Sequence, residues 1–145
     1  MIIKLLQAKN KDEWLKLWQG YLAFYQTDLP SHITDNTWQK ITDVNSSILG
    51  FGAWQDENLL GFVHVVLHPN TWNDTDCCYL EDLFVSEKVR GQGVGRVLIE
   101  QVYTFAKSKN CNRVYWVTTA DNKNAQVLYN QLATKTDFIL YRKNL

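Results

Sequence analysis

The sequence predicts an α/β (α+β) fold in which one mixed sheet carries helices on both faces. Two strand candidates, residues 47–54 and 59–67, are joined by the polar segment QDEN, as in a β-hairpin. Later strand candidates alternate with helical patterns, which is typical of a sheet covered by helices. The predicted order is therefore β-α-α-β-β-β-α-β-α-β. No linker, repeat or low-complexity segment interrupts it, so we expect a single domain over residues 1–145.

The first third of the chain is predicted to form a strand and two helices. Residues 1–6 are a short apolar run suited to a first strand. Apolar side chains then recur at spacings of three and four, which predicts an amphipathic helix. Its buried side would carry Trp14, Trp18, Tyr21, Leu22 and Tyr25. Pro30 blocks its continuation, and a second, shorter helix places Trp38 and Ile41 on its buried side.

The run LLGFVHVVL predicts a central strand, because it is nearly all apolar, as for a strand covered on both faces. We expect His64 within it to be a satisfied core residue rather than a catalyst. The remaining elements are a strand at 77–85, a helix over 94–106, a strand at 113–118, a short helix over 124–132 and a final strand at 138–142.

The composition excludes several classes of function. The chain has 15 acidic residues against 15 Lys and Arg, which removes the electrostatic case for nucleic acid or an anionic membrane as partner. No segment approaches the roughly 18 apolar residues of a membrane helix. The N-terminus lacks a signal-peptide pattern, so we expect a cytoplasmic protein. The three cysteines match neither a disulfide framework nor a zinc site, and we expect no metal.

The segment VSEKVRGQGVGR lies between a predicted strand and a predicted helix. Glycines occupy every second position, at Gly91, Gly93 and Gly95, and Arg90 and Arg96 flank them. Missing Cβ atoms let a ligand approach the backbone, and free N–H groups at a helix start bind anions, most often phosphate. The spacing is not the dinucleotide fingerprint GxGxxG, and no Gly-Lys-Ser/Thr of a P-loop follows it.

Three segments together resemble the Gcn5-related N-acetyltransferase (GNAT) superfamily. YLEDLFVSEKVRGQGVGRVLIE contains the pyrophosphate motif Arg/Gln-x-x-Gly-x-Gly/Ala, filled by Arg90, Gly93 and Gly95. RVYWVTT is the following strand, and DNKNAQVLYN is similar to the family's N-x-x-A-x-x-[LF]-Y segment. The resemblance is closest to polyamine (diamine) acetyltransferases and to yeast-type histone and D-amino-acid acetyltransferases. It implies the GNAT acyl-CoA N-acyltransferase fold, with a mixed, mostly antiparallel central sheet flanked by helices.

The resemblance implies acetyl-CoA as cofactor and transfer of its acetyl group to an amine. The glycine turn would hold the pyrophosphate, and the end of the preceding strand would pair with the pantetheine arm. The implied cofactor-binding residues are Leu83, Phe84, Val85, Arg90, Gly91, Gln92, Gly93, Val94, Gly95, Arg96, Asn122, Asn124, Ala125 and Tyr129.

The resemblance also implies two catalytic residues. Tyr129 matches the phenol that protonates the departing CoA thiolate, and Glu81 matches an acid that binds the acceptor amine and helps to take its proton. A core aromatic and a simple ion pair are the structural alternatives for these two residues. Asp82 is a weaker candidate, and strand alternation predicts that Glu81 and Asp82 face opposite sides.

On the acceptor side, the candidate substrate-binding residues are Asp28, Glu81, Tyr115 and Trp116. Asp28 is the only acid in the loop QTDLPSH between the first two helices, and together with Glu81 it would suit a cationic amine. Tyr115 and Trp116 lie on the strand beside the expected cleft. A solvated loop and a core strand remain the plain alternatives for these positions.

The main functional interpretation is acetylation of a primary amine on a small molecule, such as a polyamine or an amino acid. Two alternatives stay open: acetylation of histone or other protein lysines, and a non-catalytic acyl-CoA-binding regulatory module. By analogy with small members of the family we expect a homodimer through the C-terminal strands. The family usually has a Gly-Phe pair after its tyrosine, but here Ala133 and Thr134 stand there.

Overall fold

One five-stranded sheet organises the protein, whose computed structural model describes residues 1–145. The strands are β1 (Ile2–Leu5), β2 (Ile48–Gln55), β3 (Asn58–His68), β4 (Cys77–Val85) and β5 (Arg113–Tyr115). They lie in the sheet in chain order. The three pairs from β1 to β4 are antiparallel, whereas β4 and β5 pair in parallel. The predicted mixed, mostly antiparallel sheet is therefore confirmed.

Four α-helices cover the two faces of the sheet. They are α1 (Lys11–Phe24), α2 (Ser31–Thr42), α3 (Val94–Ser108) and α4 (Lys123–Leu132), with short 3₁₀ turns at Ala8–Asn10 and Glu87–Val89. Helices α1 and α2 lie on one face, while α3 and α4 pack on the other. None of the helices is both long and apolar enough to cross a membrane.

The two faces have different cores because their helices carry different side chains. Under α1 and α2 the core is aromatic, with Trp14 fully buried and Trp18 and Trp38 beside it. Under α3 it is aliphatic, formed around Leu98 and Ile99. Each fully buried aliphatic side chain of this kind contributes about 1.5–3 kcal/mol to folding.

Strand β3 supplies both cores, as predicted for a strand covered on both faces. Phe62 faces the aromatic core, whereas Val63 and Val65 face the aliphatic one. His64 is buried and both of its ring nitrogens are hydrogen-bonded, so the expectation of a satisfied core histidine is confirmed. The alternation of β3 fixes which of its side chains lie under α1 and therefore near the candidate site.

A bulge in β4 changes the prediction for its two carboxylates. His64 pairs with Asp82 and Val65 pairs with Leu80, so Glu81 is an extra residue without a partner on β3. The expectation that Glu81 and Asp82 face opposite sides assumed unbroken alternation, and the bulge removes that basis. Bulges of this kind redirect side chains and are common beside active sites.

The predicted last strand, residues 138–142, is wrong. Residues 133–145 have no regular secondary structure, and Phe138 and Tyr141 are 89% and 86% exposed. The strand predicted at 113–118 also ends early, at Tyr115. Side chains that favour strands are not sufficient without a partner edge, and β5, the edge strand of the sheet, offers only three residues. The observed order is accordingly β-α-α-β-β-β-α-β-α.

Candidate active site

A groove of about 590 Å³ runs from the glycine turn, between β4 and the start of α4, to the last turn of α1. Eighteen residues line it. They are Tyr21, Phe24, Tyr25, Leu83, Phe84, Val85, Val89, Arg90, Gly91, Gly93, Val94, Gly95, Arg96, Asn122, Asn124, Ala125, Leu128 and Tyr129. The groove has the size and mixed lining of a small-molecule site.

At one end of the groove the glycine turn presents backbone rather than side chains. Gly91 and Gly93 have φ angles of +79° and +83°, in the left-handed region that favours glycine. A Cβ atom at either position would meet nothing within 4 Å, so the space above the turn is open. Gly93 is the N-cap of α3, whose first N–H groups, from Val94 onwards, have no partner within the helix. The turn can therefore hold an anion.

Two arginines add positive charge to this end. The Nε of Arg90 donates a hydrogen bond to the carbonyl of Val85 over 3.2 Å, and its guanidinium lies 5.5 Å from the centre of the Phe84 ring. Arg96 donates a hydrogen bond to the side chain of Gln131. Both arginines line the groove, so their charges favour an anionic ligand there.

The C-terminal half of β4 has a free edge along the groove. Strand β5 pairs with β4 only at Cys77–Tyr79, so the two strands part before Leu83, Phe84 and Val85. Backbone groups on that edge have no strand partner and can bond to an extended, amide-bearing ligand, as an added strand would.

Tyr129 lies on α4 and faces the groove. Its half-buried ring packs edge-on against Trp116, with the ring centroids 5.4 Å apart. Burial, and to a lesser extent the nearby Tyr25 hydroxyl, raise the pKa of Tyr129 above its usual value. The phenol therefore keeps its proton at neutral pH and can act as an acid toward a group in the groove.

Asn122 and Asn124 lie where α4 begins. The Asn122 side chain donates a hydrogen bond to the hydroxyl of Thr118 over 3.1 Å, which ties the helix start to the segment that follows β5. Asn124 is in the first turn of α4 and is exposed. Together with Ala125 these residues form the α4 side of the groove.

The two carboxylates of β4 have different surroundings. The Asp82 oxygens accept hydrogen bonds from the Tyr21 hydroxyl over 2.6 Å and from His64 Nδ1 over 2.9 Å. Glu81 is exposed to solvent and makes no comparable bond. Although the Glu81 residue is exposed, partial desolvation of its carboxyl by the surrounding protein, followed by the Asp82 charge, raises the pKa of that carboxyl above its usual value. A carboxylate with a raised pKa and no partner is suited to accept a proton.

Five of the sequence-predicted site residues do not line the groove: Glu81, Gln92, Asp28, Tyr115 and Trp116. Glu81 lies on β4 two residues before Leu83, where the groove lining begins on that strand. Gln92 points into solvent from the glycine turn, and Asp28 is exposed in the loop between α1 and α2. The Tyr115 hydroxyl donates a hydrogen bond to His68 Nε2 over 2.7 Å. Trp116 packs edge-on against the Tyr129 ring and does not itself line the groove.

Five groove residues lie outside the predicted cofactor-binding set. They are Tyr21, Phe24, Tyr25, Val89 and Leu128. The helical spacing of α1 predicts that Tyr21 and Tyr25 share a buried side, but it does not show that this side extends past the core into a groove. The sequence feature that could have identified these residues is the pair of tyrosines on the predicted buried side of α1. A phenol on such a side needs a hydrogen-bond partner, which indicates a polar site nearby.

The sequence matches a protein family and has relatives of known activity. The Acetyltransferase (GNAT) family matches residues 11–133. The D-amino-acid N-acetyltransferase HPA3 of Saccharomyces cerevisiae is 36% identical over 146 residues, covering 99% of this chain and 91% of that protein. The thialysine N-epsilon-acetyltransferase of Bos taurus is 35% identical over 84 residues, covering 58% of this chain and 49% of that protein.

Solved structures share the fold at low sequence identity. A probable acetyltransferase superposes with a TM-score of 0.89 at 23% identity, covering 100% of this chain and 98% of that one. AAC(6')-Iy in complex with the bisubstrate analogue CoA-S-monomethyl-acetylneamine gives a TM-score of 0.84 at 21% identity, covering 99% of this chain and 98% of that one. Given the family match and the relative along nearly its whole length, this chain belongs to the GNAT family of N-acetyltransferases, which use acetyl-CoA to acetylate amines.

Proposed function

We propose that this protein, as one domain over residues 1–145, acetylates the primary amine of a small molecule, such as a polyamine or an amino acid. The observation that carries the proposal is that a single groove joins the anion-binding glycine turn to the protonated phenol of Tyr129. Glu81 is on β4, two residues before Leu83, where that strand begins to line the groove. An anion site, an acid and a base are the groups that acetyl transfer from a thioester to an amine requires.

The groove residues fit acetyl-CoA, which supplies the acetyl thioester. The open space above Gly91 and Gly93 accommodates a pyrophosphate against the backbone N–H groups at the start of α3. Arg90 and Arg96 supply charge at the same end. The free edge of β4 at Leu83 and beyond suits the amides of a pantetheine arm, and the arm's direction along the groove leads to Tyr129.

In the proposed mechanism Glu81 and Tyr129 hold and move the protons. Glu81 binds the incoming amine and takes a proton from it, directly or through water, so that the nitrogen lone pair is free to attack. Tyr129 donates its proton to the sulfur of the leaving thiolate. The raised pKa of each group supports its role, because Glu81 gains basicity and Tyr129 stays protonated.

The relatives and the charges of the site favour a small amine as acceptor. One relative is named for D-amino acids and another for the N-epsilon group of thialysine. Asp28 and Glu81 are exposed acids on the α1–α2 loop and on β4, and we assign both to recognition of a cationic acceptor. We assign Tyr115 to the acceptor side as well; its ring stacks on Tyr79 with the ring centroids 4.9 Å apart. Trp116 packs edge-on against the Tyr129 ring, and we assign it to the same side of the site.

Thiol release from acetyl-CoA tests this proposal. Wild-type protein and Tyr129→Phe are compared with a panel of polyamines, D- and L-amino acids, and a lysine-containing histone-tail peptide. We expect activity with at least one small amine, and a kcat about 100-fold lower in Tyr129→Phe, because loss of a general acid costs about 10²–10⁴ in rate. Acetyl-CoA affinity, measured by titration calorimetry, should change less than about threefold, since the ring is retained.

Three results would contradict the proposal in different ways. Wild-type kcat in Tyr129→Phe would remove the phenol from the chemistry. Activity on the peptide alone would replace the small amine with a protein lysine. Binding of acetyl-CoA without turnover on any amine would leave an acyl-CoA-binding module, the alternative that intact Glu81 and Tyr129 argue against.

We also propose a homodimer assembled through the C-terminal segment. The support is that Phe138, Ile139, Leu140 and Tyr141 are exposed, between 72% and 89%, and form an apolar run outside the sheet. Light scattering on the protein with and without residues 137–145 tests this, and a monomer in both cases would refute it.

A cytoplasmic location stays a prediction, which cell fractionation tests.

A further inference from the structure

A chain of four hydrogen-bonded side chains runs from the aromatic core to the groove. The indole Nε1 of Trp14 donates to His64 Nε2 over 3.0 Å. His64 Nδ1 lies 2.9 Å from Asp82 Oδ2, and the Tyr21 hydroxyl lies 2.6 Å from Asp82 Oδ1. Only Tyr21 among the four lines the groove. The proposed acetyl transfer, as described above, uses none of them.

The direction of every bond in this chain is fixed by Trp14. An indole nitrogen can only donate, so His64 Nε2 must accept and must carry no proton. The proton of the neutral ring is therefore on Nδ1 and is donated to Asp82. The second Asp82 oxygen then accepts a hydrogen bond from the Tyr21 hydroxyl. His64 is 2% exposed and Asp82 16%, so little water competes for these bonds.

In this arrangement the Tyr21 hydroxyl can act toward a ligand in the groove only as a hydrogen-bond acceptor. Its hydroxyl proton is engaged by Asp82, so the phenolic oxygen has only lone pairs to offer the groove. Burial and, next, the Asp82 charge raise the pKa of Tyr21, so the phenol keeps that proton. A phenol that donates to a carboxylate is also a stronger acceptor for a further bond, because hydrogen bonds in a chain polarise one another.

Tyr21 is linked to both parts of the proposed site. It lines the groove with Tyr129, and its hydroxyl bonds to Asp82, the neighbour of Glu81 in the chain. Its ring packs edge-on against Tyr25 at a centroid distance of 5.0 Å, and the Tyr25 hydroxyl is close enough to Tyr129 to raise the pKa of Tyr129. The Glu81 charge also contributes, as the smallest of the causes, to the raised pKa of Tyr21. The Tyr21 oxygen is therefore available to an amine that is held by Glu81 and enters the groove toward Tyr129.

We propose that Tyr21 contacts the acceptor amine as a hydrogen-bond acceptor, and that Asp82, His64 and Trp14 are positioning residues that fix its hydroxyl in this role. The inference rests on the proposed function, because it assigns residues to the acceptor side of the same site. A bond from an amine N–H to Tyr21 turns the nitrogen lone pair away from Tyr21 and toward the acetyl group. Asp82 thereby acts on the amine through Tyr21 and does not touch it.

The first test is Tyr21→Phe, which removes the oxygen and keeps the ring packing. We expect kcat/KM for the acceptor to fall about tenfold, since one hydrogen bond to a polar partner is lost. KM for acetyl-CoA should stay within about twofold. The matched control is Tyr103→Phe, which loses a 2.9 Å hydrogen bond to the Leu132 carbonyl outside the groove and should leave both constants unchanged.

The second test is a double-mutant cycle with Asp82→Asn. With His64 Nδ1–H still donating, the amide oxygen must face His64 and the amide NH₂ must face Tyr21. The Tyr21 hydroxyl is then free to donate to the amine lone pair, which blocks attack. We expect kcat/KM for the acceptor to fall at least tenfold in Asp82→Asn, and adding Tyr21→Phe should cause no further loss. Multiplicative losses in the double variant would mean that Asp82 touches the amine itself and would overturn the proposal.

His64 gives a rescue test of positioning. His64→Gln keeps an oxygen to accept from Trp14 and an N–H to donate to Asp82, so acceptor kcat/KM should stay within about threefold. His64→Leu removes both bonds, and the expected loss is about tenfold. Melting temperatures identify variants that fail to fold, in which case Tyr21→Phe against Tyr103→Phe decides alone.

The outcomes separate this inference from the proposed function. If Tyr129→Phe is impaired and Tyr21→Phe retains wild-type acceptor kcat/KM, the function stands and the Tyr21 contact is refuted. If the wild-type protein acetylates no amine in the panel, both fail together. If Tyr21→Phe changes KM for acetyl-CoA as strongly as that for the amine, Tyr21 belongs to the cofactor side and the proposal is overturned.

Discussion

Arg90 Nε donates a hydrogen bond to the carbonyl of Val85 over 3.2 Å and so joins the end of β4 to the glycine turn. The guanidinium is held over the Phe84 and Phe24 rings, at 5.5 and 5.9 Å from their centres. Its position is therefore set by a hydrogen bond and by two aromatic faces, and only weakly by Glu87, whose carboxylate is 4.0 Å away. This leaves most of the Arg90 charge available to an anion in the groove.

Arg90→Ala is expected to weaken acetyl-CoA binding. Loss of one charge-assisted hydrogen bond to a phosphate costs about 1.5–3 kcal/mol, which corresponds to an increase in Kd of about 10-fold or more. Titration calorimetry at two salt concentrations measures both the loss and the reduced salt dependence. Lys88→Ala removes the same charge two residues away, outside the lining of the groove, and should leave Kd within about twofold. Equal effects of the two changes would mean that only net charge matters.

Gly93→Ala is expected to destabilise the protein. The φ angle of +83° is unfavourable for a residue with a Cβ atom, although the added methyl group would meet no other atom within 4 Å. The loss is therefore conformational, about 1–2 kcal/mol, and a Tm lower by roughly 2–8 °C should follow in scanning calorimetry. An unchanged Tm would show that the turn relaxes to another conformation.

Gly95→Ala should have the opposite effect on stability. Gly95 is inside the first turn of α3, and an added Cβ would lie 3.5 Å from Leu128 Cδ2, which is an ordinary contact. Alanine in a helix is favoured over glycine by about 0.5–1 kcal/mol, so Tm should rise slightly. The methyl group also enters the groove lining, so the affinity for acetyl-CoA should fall. If Tm and the affinity for acetyl-CoA both rose, the cofactor would not bind against this turn.

The sequence predicted the fold well where a signal is local and periodic. Helix α1 and strand β3 follow directly from the spacing of their apolar residues, and the glycine turn from its composition. The strand at 138–142 failed because strand formation depends on a partner edge, which side-chain pattern does not show. The bulge at Glu81 could not be predicted either, since a single extra residue leaves the apolar pattern of YLEDLFV intact.

In the candidate site, too, some features could be predicted from the sequence and others could not. Groove residues such as Gly93 and Val85 lie in contiguous motifs, so their proximity could be predicted from the sequence. The bonds of Tyr21 and His64 to Asp82 join residues 61 and 18 positions apart. No spacing rule connects such positions, so these contacts required the folded structure.

The rate of acetyl transfer should depend on pH through Glu81. Its folded pKa is raised above 4.5, so on acidification the carboxylate is lost at a higher pH than for an ordinary glutamate. The profile of kcat against pH should therefore show an acidic limb above pH 4.5, and this limb should disappear in Glu81→Gln, together with most of the activity. Glu100→Gln, an exposed acid on α3, serves as control. An unchanged limb in Glu81→Gln would assign the base to another group.

Alkaline pH should destabilise the fold through Cys78. The thiol is fully buried, and burial followed by the neighbouring Cys111 and Cys77 raises its pKa from 9.0 to about 12. Above pH 9 the unfolded chain therefore loses the Cys78 proton while the folded chain keeps it, so unfolding becomes more favourable as the pH rises.

Urea unfolding at pH 8 and pH 10.5 measures this effect. The Cys78 contribution to the free energy of unfolding should fall by about 2 kcal/mol between the two values, since each pKa unit corresponds to about 1.4 kcal/mol. Buried tyrosines such as Tyr129, whose pKa values are also raised, add a loss in the same direction. The contribution of Cys78 is therefore the difference in pH dependence between wild type and Cys78→Ala, which keeps every tyrosine. Identical pH dependence in the two proteins would mean that the folded chain accommodates the thiolate, against its complete burial beneath α3.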